Sequence, residues 1–292
     1  MWTGLDGFPA FCTGETVFSV LAEFTKRVHP ESNAAWLKEL FGNSYQTAIT
    51  DLASNLDELE QRIPAVYGYD ADYMINWHTT APYHRLGQSE SQTQKLYKAM
   101  KVKSFNATNV HIYAGNMHSG IRRPSFSRAC TICIGVDRKK YGRTYWHRGH
   151  QLPGIEVCPL HGIYLTEVNL RNTQRHTFVT LEEVLATQAP IEPGTEMPDT
   201  RLINLAQDSY YLLTHPEIQV AREKTHQLYE AIARDRGMAR RSGKMDFGGI
   251  DECAQLLFVG NTLTIQVVFA SSSANCLDVS TSDETQCCLA FD

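Results

Sequence analysis

The 292-residue sequence holds no run approaching the roughly 20 consecutive apolar residues that a membrane helix needs. Its first fifteen residues, MWTGLDGFPAFCTGE, carry two acids (Asp6, Glu15) and no Lys or Arg, so the basic start of a secretory signal is missing. No Walker phosphate loop, Gly-x-Ser-x-Gly elbow or His-Glu-x-x-His pair occurs, and no signature gathers the acids into a metal-dependent nuclease site. There is no internal repeat. From Met245 to Asp292 there is no Lys or Arg, against seven acids. These absences point away from an enzyme and from a membrane protein, and toward a cytoplasmic protein.

What is present is ordinary in bulk and uneven in detail. At 42% hydrophobic, 20% charged and 10% aromatic, the composition is that of a globular chain with a sizeable core, and at about 150 residues per domain its length suits two. The net charge of −5 argues against a general nucleic-acid binder. Yet residues 121–148 hold eight Lys or Arg against one acid, Asp137, and residues 219–244 hold seven against three. The eight cysteines stand at 12, 130, 133, 158, 253, 276, 287 and 288, without the even spread of a disulfide scaffold.

Periodicity makes residues 1–120 a helical bundle with a possible helix-turn-helix. Val17, Val20, Leu21, Phe24 and Val28 share one face, with Thr13 as the expected N-cap and Pro30 as the stop. Trp36, Leu37, Leu40 and Phe41 form the next stripe, closed by Gly42. Ser54 with Asp57 reads as a weak capping box before Leu56, Leu59 and Ile63, and two more helices are expected near 70–79 and 88–101. Residues 121–170 read as a small zinc module, with strand formers in Thr144-Tyr145-Trp146 and a turn at Pro153-Gly154. Residues 171–199, with three prolines after Thr187, read as a linker. Helices are expected over 200–260, at about 200–214, 217–237 and 247–258, and 261–292 as an acidic Ser/Cys-rich tail. The fold class is therefore mainly α with a small zinc-binding β-hairpin.

Cys130-Thr-Ile-Cys133 is followed after 24 residues by Cys158-Pro-Leu-His161. Two residues between paired ligands let a tight turn aim both at one ion, and four protein ligands close a tetrahedral zinc site, leaving no position for a reacting water. A thioredoxin-like redox pair at Cys130 and Cys133 is the competing reading, but it leaves Cys158 and His161 unexplained. His78, His84, His147 and His150 read as ordinary surface or hydrogen-bonded core histidines, and Tyr145 and Trp146 as packing. Arg122, Arg123, Arg138, Lys139, Lys140, Arg143 and Arg148 are expected to form a positive surface for nucleic acid or a partner, because such a density of charge resists burial.

Cys130-x-x-Cys133, Tyr141-Gly142, Tyr145-Trp146-His147-Arg148, Gln151-Leu152-Pro153-Gly154 and Cys158-Pro159-Leu160-His161-Gly162 together closely resemble the zinc module of the TniQ/TnsD family of transposition target-selection proteins. Upstream, Phe8-Pro9 and Gly14-Glu15-Thr16-Val17-Phe18-Ser19-Val20-Leu21-Ala22 resemble its opening motif, and Leu37-Lys38-Glu39-Leu40-Phe41-Gly42, His78-Thr79 and Pro82-Tyr83 fit as well. Glu23 departs from the pattern, standing where the family usually has an arginine. No second cysteine cluster follows His161 as it does in some RNA-guided members, which places the chain nearer the TnsD branch. TnsD proteins are longer, so the chain reads as a short member or a truncated one. The resemblance implies a non-enzymatic adaptor that joins a target-recognition device to the AAA+ regulator TnsC. That device would be a Cas effector with guide RNA, which leaves the adaptor itself only backbone contacts to DNA. The alternatives are a TnsD-like protein that binds a fixed attachment site and a zinc-stabilised nucleic-acid-processing enzyme.

Overall fold

The computed structural model describes residues 5–85, 88–102, 108–115, 124–168, 170, 176–189, 191, 194 and 196–218, with isolated positions beyond. The helix expected over 217–237 is thus described only at isolated positions, and the one expected over 247–258 and the acidic tail lie outside the described residues. Seven helices come first: α1 (Val17–Val28), α2 (Asn33–Phe41), α3 (Leu56–Glu60), α4 (Ala71–His78), α5 (Ala81–His84), α6 (Glu90–Lys101) and α7 (Thr108–Tyr113). Then follow β1 (Ser127–Ala129), α8 (Thr131–Tyr141), β2 (Thr166–Val168), α9 (Leu181–Ala186) and α10 (Thr200–Thr214). The protein is mainly helical, with one small two-stranded sheet. Among the described residues, no helix is long and apolar enough to cross a membrane.

The helix stripes fall where the 3.6-residue period puts them, but the caps move. Helix α1 starts at Thr16, whose side chain accepts from the Ser19 amide at 3.1 Å, and not at Thr13. The delay is tertiary: after a turn at Gly14 (φ 70°), Glu15 bridges His147 and the Thr16 amide donates to the Trp146 carbonyl, so residues 15 and 16 are held out of the helix against the later module. Gly42 ends α2 in the left-handed region at φ 66°, as glycine there allows. Ser54 does not cap α3. Its hydroxyl and carbonyl take the Gln46 amide instead, and the helix follows Asn55 at φ 61°.

One core runs through the first 186 residues. Phe18, Leu21 and Phe24 of α1 and Trp36, Leu37 and Leu40 of α2 lie in it with Leu56, Met74, Ile75, Leu96 and Met100. Ala129, Ile134, Trp146 and Val168 enter the same core, and so do Phe178, Leu181 and Val184 around α9. A helix thus stands inside the interval expected as a linker. It is opened by a capping box between Thr180 and Glu183. A second, smaller core joins Leu152, Ile155 and Val157 to Leu202, Ala206 and Leu213 of α10.

The expected hairpin between the ligand pairs is not formed. That segment holds α8, an extended stretch and a 3-10 turn at Arg148–Gln151, and the two strands flank the ligands instead, pairing Ser127 with Val168 and Ala129 with Thr166. Thr144 and Trp146 find partners elsewhere. The Thr144 amide donates to Glu182, the Trp146 amide to Ser19, and the Trp146 indole to the Val179 carbonyl. A tryptophan with 0% exposure, bonded at both ends, is a core anchor rather than a hairpin strand.

Glu15, also 0% exposed, fastens this module to α1. Arg143 grips it with both terminal nitrogens at 2.7 and 2.9 Å, Ser19 donates at 2.8 Å, and the Cys12 amide donates at 2.9 Å. Removing one partner of a buried ion pair strands the other charge, at a cost of about 3–5 kcal/mol, whereas replacing both with apolar side chains costs far less. Chemical unfolding should therefore find Glu15→Ala destabilised by about that amount, and the Glu15→Met/Arg143→Met pair much less. Equal losses would mean that the pair adds nothing beyond packing.

Candidate metal centre

The two ligand pairs sit on local structures that aim them at one point. Cys130 follows β1 directly and is the N-cap residue of α8, so Cys133 lies one turn in, on the same side. Cys158 begins a tight turn in which its amide donates to the Ile163 carbonyl and its carbonyl accepts from Gly162. Gly162 adopts φ 63°, the left-handed conformation that closes this turn.

His161 Nδ1 lies 3.6 Å from the Cys130 sulfur, 3.3 Å from that of Cys133 and 3.6 Å from that of Cys158, and the Cys133 and Cys158 sulfurs are 3.8 Å apart. With metal–sulfur bonds of about 2.3 Å and metal–nitrogen bonds of about 2.0 Å, the edges of a tetrahedral site measure about 3.8 Å between sulfurs and about 3.5 Å from sulfur to nitrogen. The cluster is thus compatible with a metal ion at its centre. The three cysteines are buried and His161 is half-buried. Without a cation the thiols compete: interaction with Cys130, and burial after it, pushes Cys133 well above the ordinary thiol range and Cys158 up to about 12. Three thiolates share this space only around a positive charge.

Two further histidines border the cluster. His147 Nε2 is 2.8 Å from Asp137 Oδ2, which also accepts from the Thr144 hydroxyl. His150 Nε2 lies 3.5 Å from the Cys158 sulfur and 3.7 Å from that of Cys133, and burial holds this imidazole well below its usual range, hence neutral. Sequence reasoning took both as ordinary. It had no signal that a residue eight positions before Cys158 would turn back onto its sulfur. Helix α10 closes the outer side: Tyr210 leaves no room for a Cβ on Gly149, and Ile203 lies over Gly162.

The expected positive surface is only partly formed. Arg148 is buried and donates to the Asn76 and Thr79 carbonyls at the end of α4, with burial holding it down to about 10. Arg143 is spent on Glu15, and exposed Arg138 forks onto Glu182 at 2.8 and 2.6 Å. Lys139 and Lys140 are exposed, the latter over the Tyr141 ring at 4.9 Å. Arg122 and Arg123 lie outside the described residues. Density of charge in the sequence was a poor guide here, because Arg is buried readily where carbonyls or a carboxylate meet its fork.

Elemental analysis of purified protein is expected to give one metal ion per chain, and Cys130→Ser or Cys158→Ser to lose it together with cooperative unfolding. Structural zinc supplies about 10–16 kcal/mol of apparent binding free energy in small domains, more than a domain's usual margin. A metal-free protein that unfolds cooperatively like the loaded one would overturn this assignment.

Residues 7–165 match the family model TniQ. The chain is also similar to "Transposon Tn7 transposition protein TnsD" of Escherichia coli, with 23% identity over 242 residues, covering 81% of this chain and 46% of that protein. It thus spans about half the length of the curated relative it matches. The family match embraces α1, the Glu15 anchor and all four residues of the metal cluster, and covers more than half of the sequence; the chain belongs to the TniQ family.

Proposed function

We propose that this protein is a non-enzymatic target-selection adaptor of DNA transposition. It joins a target-recognition complex, in our leading reading a guide-RNA Cas effector, to a TnsC-like AAA+ ATPase, and works in the cytoplasm at the nucleoid. Family membership and the likeness to a transposition protein support the transposition role. The ion is read as zinc, held by Cys130, Cys133, Cys158 and His161. Three thiolates and one imidazole suit it, and four protein donors leave no open position, which makes the site structural.

The observation that carries the adaptor reading is how little free positive charge the metal module displays among its described residues. Arg128, Arg143 and Arg148 are committed to internal acceptors and Arg138 to Glu182. On the outer face of α8, Lys139 and Lys140 share the surface with Ile132 at 42% exposure and Val136 at 49%. Leu160, inside the second ligand pair, is 54% exposed. Apolar side chains among a few lysines suit a protein surface better than a phosphate backbone, which calls for dense, unspent cations.

Specificity delegated to a partner leaves the isolated protein with weak, sequence-indifferent affinity for duplex DNA, roughly 10⁻⁴ to 10⁻⁶ M at physiological salt. Titration against random duplex and against candidate attachment sites tests this. Binding near 10⁻⁸ M with about 10³-fold discrimination would instead select the second reading, a TnsD-like protein that recognises a fixed chromosomal site. That reading is kept because the curated relative is a TnsD.

Charge reversal addresses the partner. Lys139→Glu with Lys140→Glu is expected to weaken association with the ATPase or the recognition complex by about tenfold, more at low salt than at high, because rim charges act mainly through screened attraction. Arg138→Glu should add to the effect, because it breaks the Glu182 contact and leaves two carboxylates facing each other at this surface. Unchanged association with both partners would make this face ordinary surface.

A further inference from the structure

The four donors do not exhaust the groups turned toward the metal position. Nε2 of His150 lies 3.5 and 3.7 Å from the Cys158 and Cys133 sulfurs, yet His150 is not part of the tetrahedral set formed by those two with Cys130 and His161. It fronts the Cys133–Cys158 edge from outside. The short turn that carries it is pinned at each neighbouring residue. Arg148 is bonded to the end of α4, Gly149 lies against the Tyr210 ring, and Gln151 is bonded to the backbone of Arg128 and His147. Such fixation leaves the imidazole little freedom to face elsewhere. A divalent ion with three thiolates and a neutral imidazole carries net negative charge, and at these buried sulfurs water cannot offset it.

We propose that His150 is the outer partner of the metal centre: its Nε2–H donates to the Cys133 and Cys158 thiolates, orienting them and damping their reactivity. This rests on the metal reading above. Hydrogen bonds to ligating atoms hold them in place and withdraw charge from them, and loss of such a partner commonly costs about 10–100-fold in affinity or activity. Thiolate reactivity follows the charge available on sulfur. His150 is within hydrogen-bond reach of Cys133 and Cys158 but interacts with Cys130 through charge alone, so Cys130 serves as the reference thiol.

The test compares the metal-loaded protein with its His150→Leu and His150→Gln variants, measuring metal content first and then initial rates of iodoacetamide alkylation at each cysteine by peptide mass spectrometry. In His150→Leu the expected outcome is one ion retained, with Cys133 and Cys158 alkylated about tenfold faster and Cys130 unchanged. His150→Gln, which keeps an N–H donor, restores the slow rate. The thiolate-to-cobalt charge-transfer band of the cobalt-substituted protein should move to lower energy in Leu and return in Gln. Equal rates and unshifted bands would reduce His150 to a space-filling residue. Retention of the ion by His161→Ala but not by His150→Leu would make His150 the ligand itself. Absence of metal from the unaltered protein would defeat the metal reading and this proposal with it. If the Leu variant does not fold, the unaltered protein decides. Imidazole nitrogen shifts must report an Nε2–H tautomer for His150, and cadmium substitution must give metal coupling to the His161 ring and none to that of His150. An Nδ1–H tautomer or a coupled His150 overturns the assignment.

Discussion

Glu15 carries a charge with no exposed surface, and four separate parts of the chain meet to keep it there. Its carboxylate takes Arg143 from beyond α8, Ser19 from α1 and the amide of Cys12. Its backbone pairs with His147, and its carbonyl accepts from Nδ1 of His78 at the end of α4. That last bond also fixes the tautomer: a carbonyl only accepts, so Nδ1 holds the hydrogen, Nε2 is left without a partner, and burial holds the group down to about 3. A buried pair is a weak source of net stability. Its effect is on placement: the pair joins the metal module to the start of α1, and His78 joins the end of α4 to the same residue.

The cysteine–histidine cluster is the second fixed point, and its residues adjoin both cores. Cys130 and Cys133 lie between Ala129 and Ile134, both of which enter the larger one. Cys158 follows Val157 of the smaller one, and Gly162 beside His161 lies under Ile203 of α10. An ion held by all four donors would therefore tie the helical bundle to α10 through bonds far stronger than side-chain packing. Ile132 and Leu160, each within a ligand pair, are both exposed beside the cluster.

The sequence made the donors legible because their spacing alone carries the chemistry: two residues between paired ligands is a local constraint that needs no tertiary context. The helical stripes were legible for the same reason, since Val17 to Phe24 and Trp36 to Phe41 repeat at the helix period. The misread features depend on distant partners. Thr13 and Ser54 looked like caps, but residues 15 and 16 are held out of the helix by His147 and Trp146, and Ser54 is engaged by the Gln46 amide. Helix α8 was hidden because its two faces are both partly apolar, with Ile134 inward and Ile132 and Val136 outward, so no stripe stands out. Helix α9 is only six residues long, too short for a period, although Thr180 and Glu183 carried the signature of its first turn.

The basic residues teach the most about reading charge. Seven cations in one segment looked like a surface, yet their fates are decided by acceptors that no local window contains. Arg148 meets the free carbonyls at the C-terminus of α4, where the helix dipole favours a cation. Arg143 meets a carboxylate 128 residues away, and Arg138 one 44 residues away. The guanidinium satisfies several acceptors in one plane, so it is the cation a fold can take inside, while a lysine ammonium holds its water more tightly and stays out. Lys139 and Lys140 remain at the surface accordingly. The charge available to a partner is thus set less by how many Lys and Arg a segment contains than by how many of its arginines the fold has already used.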